Sequence, residues 1–248
     1  MGSAKWIGGL LGWVVLGPIG GLLGFLAGTV WDGASSAARR LAGDATAQGG
    51  YTASEQRNSF FVSLMVLSSA IIRADGKTLP SEIDVVKDFV RKNFGEAAVA
   101  DAEKILEKLN SQQVNIYEVG PQVARFMNYS QRLQLFHYLV QIAIADGFLD
   151  KSEKSVLEAI AGTIGLSSSD AASVIAMFYK DATSAYAVLE ISPSASDDEV
   201  RSAYRRMAMK NHPDKVATLG PEVQKAAEEK FRKIQEAYET IKKERGMN

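Results

Sequence analysis

Over most of its length this chain returns an apolar side chain every three or four positions, the period of a helix with one buried face. From about Thr52 to Lys180 the series runs Phe60, Phe61, Leu64, Leu67 and Ile71, then Val85, Val86, Phe89 and Val90. It resumes at Leu133, Phe136, Leu139, Val140 and Ala143, and again at Val156, Leu157 and Ile160. No alternation of apolar and polar residues persists long enough to predict a strand. Nearer the C-terminus, Val200, Ala203, Tyr204, Met207 and Ala208 make one stripe over Asp197 to Asn211. Phe231, Ile234, Ala237, Tyr238 and Ile241 make another over about Pro221 to Lys243, and the short apolar segment from Tyr186 to Ile191 can close a core between them. The pattern predicts an all-α fold, with a middle segment long enough for its own core.

The N-terminal stretch departs from this period. Trp6 to Trp31 is a run of 26 residues without a charge, long enough at about 1.5 Å per residue to cross a hydrocarbon core of about 30 Å. Tryptophan stands at both ends, as membrane interfaces favour. Gly20, Gly24 and Gly28 are each four apart, the small-residue interval that lets membrane helices approach closely. Self-association through that face, as a homodimer, is expected. A removable signal peptide fits less well, because its apolar core normally spans only about 7–15 residues. Gly17-Pro18 in the middle also admits a re-entrant or interfacial hairpin, or a glycine-rich packing element of a soluble protein. Lys5 precedes the run and Arg39 and Arg40 follow it, an excess that favours a cytoplasmic C-terminal side. Residues 32–51, rich in Gly, Ala, Ser, Thr and Gln, read as a flexible linker.

The middle segment repeats itself. Ala74-Asp75-Gly76 is followed, six residues after the glycine, by Glu82, and Ala145-Asp146-Gly147 is followed at the same interval by Glu153. Two helical hairpins packed on each other explain this, with each glycine in the left-handed position at a helix C-terminus. Asp150 and Glu153 then have capping-box spacing, and Pro80 suits an early position of its helix. Asp146, Gly147, Asp150 and Glu153 also imitate the second half of a calcium-binding EF-hand loop. The first half is wrong: Ile142 and Ile144, and in the other copy Ile71 and Arg73, stand where carboxylates are needed.

The two C-terminal stripes flank His212-Pro213-Asp214. Two antiparallel helices joined by a polar turn would project that tripeptide into solvent. The first helix has Ser196 as its N-cap, Asp197, Asp198 and Glu199 in its first turn, and a face of Arg201, Arg205, Arg206 and Lys210 with no acid among them.

These residues, with Tyr186, Ser192-Pro193, Ala203-Tyr204-Arg205-Arg206, Lys230-Phe231 and Glu236-Ala237-Tyr238-Glu239, resemble a J domain, the part of DnaJ-type co-chaperones that engages a DnaK-type ATP-driven chaperone. Two positions depart from that pattern: Glu190 stands where glycine is common, and Asn211 where an aromatic is common. The resemblance implies that His212, Pro213 and Asp214 contact the chaperone's nucleotide-binding part, and that Arg201, Arg205, Arg206 and Lys210 meet an acidic surface there. The paired Ala-Asp-Gly pattern resembles the TerB family linked to tellurite resistance, for which acidic metal-binding positions have been proposed. Carried over, the candidates are Asp75, Glu82, Asp146, Asp150 and Glu153, with turn and cap roles favoured over ligation.

Composition narrows the chemistry. Lys and Arg number 28 against 29 Asp and Glu, so charge balance implies no nucleic acid partner. The chain has no cysteine, which removes disulfides and thiol catalysis. His137 lies in an apolar helical stretch and reads as packed, and no nucleophile comes with a plausible base. Neither an enzyme nor a cofactor is expected.

Taken in order, a glycine-rich transmembrane helix (1–31), a linker (32–51), a TerB-like helical bundle (52–180) and a J-domain helical hairpin (184–248) resemble the membrane-anchored, DjlA-like co-chaperones of bacteria. That resemblance implies a single-pass protein of the inner membrane, its C-terminal domains in the cytoplasm, recruiting a DnaK-type chaperone in envelope stress regulation, with the client unknown. The alternative is a stress or metal-sensing regulator in which the J domain is accessory.

Overall fold

In a computed structural model of the chain, residues 53–247 are described, apart from 75, 77, 97–98, 111–113 and 180–181. The span over 1–31 with Gly20, Gly24 and Gly28, the linker over 32–51, and Asp75 lie outside the described residues. Helices α1 (Ala53–Ile72), α2 (Pro80–Phe94), α3 (Val99–Asn110), α4 (Ile116–Phe126), α5 (Tyr129–Ala143), α6 (Lys151–Thr163) and α7 (Ser168–Ala176) come first. They are followed by α8 (Ala182–Val188), α9 (Asp197–Lys210), a 3-10 segment (Pro213–Leu219) and α10 (Pro221–Arg245). The described residues form no strand, as the periodicity predicts.

Helix α1 is buried on every side from Phe60 to Leu67, and α5 from Leu133 to Val140. The apolar stripes predicted one buried face for each; instead both run through the middle, where a helix that is apolar all round belongs. Helix α1 touches α2 to α6 and the 3-10 segment. Its buried Ser68 and Ser69 hydroxyls donate to the carbonyls of Leu64 (2.5 Å) and Val66 (2.7 Å), so neither is left unpaired in the core. Phe89 of α2 meets Tyr138 of α5 edge-on at 4.7 Å, and Phe60 of α1 lies 6.0 Å from Phe89.

The repeat folds as two hairpins, α1–α2 and α5–α6, meeting through α1 and α5. Gly76 and Gly147 adopt φ of 77° and 95°, the left-handed turn conformation that favours glycine. The Asp150 amide donates to Glu153 Oε2 at 2.9 Å and the Asp150 carboxylate accepts from Ser152, closing the predicted capping box. The Leu79 amide donates to Glu82 Oε2 at 2.9 Å in the same way, with Pro80 opening α2. Glu82 and Glu153 are both buried.

Two apolar cores result, and neither stops at a domain border. The second holds Tyr186, Leu189, Val200, Met207, Ile234 and Ile241, joined by Ala176 and Met177 from the end of α7. Val216 and Leu219 of the 3-10 segment, with Val223 and Ala227 of α10, belong to the first core alongside α1 and α5. Arg245 ties the end of α10 back to the start of the hairpin, donating to Tyr186 Oη (2.9 Å) and the Pro193 carbonyl (2.7 Å).

Gly120 sets the closest approach of α4 to α6: a Cβ there would lie 2.2 Å from Thr163 Oγ1. Gly120→Ala is expected to force these helices apart and cost about 1–3 kcal/mol, read as a lowered midpoint in chemical denaturation. Gly162→Ala, where a Cβ meets nothing within 4 Å, serves as the unclashed control and is expected to keep or slightly raise the midpoint.

Candidate chaperone-binding site

Helix α9 begins with a reciprocal cap: the Ser196 amide donates to Glu199 Oε2 at 2.7 Å and the Glu199 amide to Ser196 Oγ at 3.3 Å. Val200, Ala203 and Met207 face inward, and the Tyr204 ring stacks on Tyr238 of α10 at 4.4 Å, which fixes the helix rotation. Arg201, Arg205, Arg206 and Lys210 are thereby turned away from the hairpin core. Arg205 is exposed, while Arg201 donates to Asp198 at 3.0 Å and Arg206 to the Leu189 carbonyl at 3.3 Å.

Asn211 caps the helix, its side chain buried and donating to the Met207 carbonyl at 3.0 Å. His212 is extended (φ −63°, ψ 130°), as the residue before a proline must nearly be, and Pro213 opens the 3-10 segment. His212 Nδ1 accepts from the Asp214 amide at 3.3 Å, with the Asp214 carboxylate 3.6 Å away. The His212 ring sits edge-on to Phe231, 6.1 Å between centroids. The His212 and Asp214 side chains are 52% and 79% exposed, so the tripeptide presents both while its backbone is held by its own short-range bonds.

The second half of the turn, beyond the exposed tripeptide, is held by the middle domain. Val216 and Leu219 are buried in the first core, Asn128 Nδ2 donates to the Lys215 carbonyl (3.4 Å), and Gln131 Nε2 donates to Thr218 Oγ1 (3.3 Å). Ser130 Oγ donates to the Lys210 carbonyl at 2.8 Å.

Lys210 itself pairs with Asp170 of α7 and, at 3.5 Å, with Glu190. Burial alone would lower the Lys210 pKa, but the two carboxylates outweigh it and hold the ammonium above its usual range. At Asp170 burial likewise works against the charge, and hydrogen bonds from Lys210, Ser167 and Tyr129 overcome it to hold the carboxyl low. Glu190 goes the other way: burial and the neighbouring Asp170 raise it.

Glu190 also occupies the left-handed region, φ 58°, in a Schellman turn that ends α8. Its amide donates to the Ala187 carbonyl and the Ile191 amide to that of Tyr186, both at 3.1 Å. Glycine is the ordinary residue there, so the strain is tolerated where the carboxylate reaches Lys210. Asp170, Ser130 and Glu190 escaped sequence reasoning; a glutamate in place of the family's usual glycine was the available signal. Lys230 also escaped it, although its spacing to Ile234, Ala237 and Ile241 puts it on the apolar stripe of α10. It is buried, and desolvation lowers its pKa to about 7 against the pull of Asp170. His137 of α5 is buried against Phe178, 5.1 Å between rings, and burial followed by the charges of Lys230 and Lys233 holds it neutral.

Of the acidic metal candidates, Glu82, Asp150 and Glu153 are engaged in helix caps and Asp146 accepts from the Phe148 amide at 3.0 Å. Among the described residues no group of three or more His, Asp and Glu is placed to hold a metal ion. Nor is any described helix long and apolar enough to cross a membrane.

Comparison with known proteins bears on the whole chain. The family described as "Co-chaperone DjlA transmembrane domain" matches residues 1–42, "Tellurite resistance protein TerB" matches 61–176, and "DnaJ domain" matches 184–246. The "Co-chaperone protein DjlA" of Photobacterium profundum is 28% identical over 98% of both chains. The chain is DjlA-like in its domains and their order. Proteins of the same name from Coxiella burnetii (26% identical, 98% of both chains) and Escherichia coli K12 (25%, 92% of both) match in the same end-to-end manner. No solved structure matches. This chain carries a J domain, which implies a DnaK-type chaperone partner, and a transmembrane-domain match that marks it as membrane-anchored.

The buried ammonium gives a pH test. Because Lys230 titrates near 7 when folded and near 10.5 otherwise, the unfolded chain binds more protons between those values and stability rises with pH across that window. Lys230→Met is expected to stabilise the protein at pH 7 by about 1–3 kcal/mol and to flatten that rise, as read from denaturation midpoints at pH 7, 8.5 and 10.

Proposed function

We propose that this chain brings a DnaK-type chaperone to the inner membrane and stimulates its ATP hydrolysis through His212-Pro213-Asp214. The observation that carries the reading is the tripeptide itself, its histidine and aspartate side chains exposed at the end of a helical hairpin and its backbone fixed by a cap, a proline and the 3-10 segment. Arg201, Arg205, Arg206 and Lys210 line the adjoining helix and suit an acidic partner surface. A rim of one charge sign mainly speeds encounter and weakens with salt, which suits a partner that binds briefly and leaves. Hydrolysis belongs to the chaperone, so this chain regulates another protein's ATPase and is not itself an enzyme.

A single pass through the membrane, with the TerB-like and J domains in the cytoplasm, places the tripeptide where ATP and chaperone are found. Self-association through Gly20, Gly24 and Gly28 would pair two J domains at one membrane site. The reading as a metal sensor is not favoured, because the acids it would need among the described residues are engaged in caps and turns.

The test is steady-state ATP hydrolysis by a cognate DnaK-type chaperone with the full chain in lipid nanodiscs. Wild type is expected to stimulate hydrolysis at least about 10-fold more than His212→Gln, whose exposed site leaves the fold unchanged. Equal rates with both would refute the proposal.

A further inference from the structure

The helix offered to the chaperone is already in use within the chain. Lys210, the last cation of that face, is paired with Asp170 of α7, a residue of the TerB-like domain. Around this pair the same domain holds the chain on either side of the motif: Ser130 reaches the Lys210 carbonyl, Asn128 the Lys215 carbonyl and Gln131 the Thr218 hydroxyl. Val216 and Leu219, immediately beyond the tripeptide, are sunk in the apolar core of that domain. His212, Asp214 and Arg205 stay exposed. The docked hairpin thus displays most of its recognition surface, Arg201 and Arg206 being 40% and 49% exposed, and withholds Lys210.

We infer that the TerB-like domain is an intramolecular competitor of the chaperone, with Asp170 standing in for the acidic surface that Lys210 meets in the partner, so that full engagement requires the hairpin to swing off the α5–α7 face. This rests on the proposed co-chaperone function.

Three features fit a latch that opens. The contact is polar at its centre, with the Asp170–Lys210–Glu190 cluster two-to-one in favour of carboxylates. Glu190, from the hairpin side, shares that lysine, and burial first and then the neighbouring Asp170 raise its pKa. On the same face of α5, the ring nitrogens of His137 and the side-chain amide of Gln134 are buried without a hydrogen-bond partner, so separation lets them regain water. A chaperone that binds only the open form sees its apparent affinity reduced by the fraction open, and anything that occupies the α5–α7 face would raise the response.

The absence of native cysteine makes a direct test possible in the full chain in nanodiscs. Gln131→Cys with Thr218→Cys is bridged by a short, reducible bis-methanethiosulfonate. Efficient bridging without chaperone is expected, and this readout does not depend on the chaperone being stimulated. The bridged form should stimulate ATP hydrolysis at least about 10-fold less than the same protein after reduction, while Asp170→Asn should lower the concentration for half-maximal stimulation about 3- to 10-fold and leave the maximum unchanged. Because Asp170 also hydrogen-bonds Ser167 and Tyr129, the bridged pair guards against a variant that simply misfolds. Stimulation by the bridged form equal to that of the reduced form, or failure to bridge, overturns the inference and leaves the co-chaperone function standing. Bridging with no stimulation from wild type, reduced or Asp170→Asn protein removes the co-chaperone function itself and the inference built on it.

Discussion

The structure depends on the burial of α1 around its whole circumference. Phe60 to Leu67 present no polar face to water, so neighbours are required on all sides, and α2 to α6 provide them. What remains uncovered is a strip that those helices do not reach, and the 3-10 segment after the tripeptide fills it with Val216 and Leu219. At about 25 cal/mol per Å² of apolar surface removed from water, leaving that strip open would be costly. The demand of one helix for cover therefore reaches out of its own domain and sets where the hairpin sits.

Polar groups oppose that attraction. Lys230 loses its hydration at the junction and its ammonium is brought to the edge of deprotonation at neutral pH, while His137 is kept neutral. Asp170 and Lys210 form a pair whose desolvation offsets much of its own attraction. An interface that combines apolar pull with polar penalties is held by a small difference between large opposing free energies, which is the condition for an arrangement that a binding partner can displace. Within the hairpin itself Tyr204 stacks on Tyr238, Ile234 and Ile241 are fully buried, and Arg245 closes the end.

The same distinction explains the repeated Ala-Asp-Gly turns. Glu82 and Glu153 look like ligands in sequence, being acids at a fixed interval after a glycine. Folded, each carboxylate turns back on the amide that precedes its own helix. Each carboxylate thus closes the start of its own helix, and the repetition contains two equivalent helix starts.

Much of this was readable in the chain. Helical periodicity gave the helices, proline and glycine gave their ends, capping spacing gave Asp150–Glu153, Ser196 was legible as an N-cap, and the His-Pro-Asp turn followed from proline's effect on its neighbour. These are local effects, fixed by residues within about one helical turn of each other. The central position of α1 and α5 was only half legible, since a stripe count sees one face and cannot say whether the other faces water. What the tertiary structure alone decided was the pairing of Lys210 with Asp170, 40 positions away in sequence, the burial of Lys230, and the use of Glu190 in a strained turn. Each depends on which surfaces meet when two cores share an edge. Charge and burial at such an edge are properties of neighbours distant in sequence, so the basic face of α9 was visible in the chain and its intramolecular partner was not.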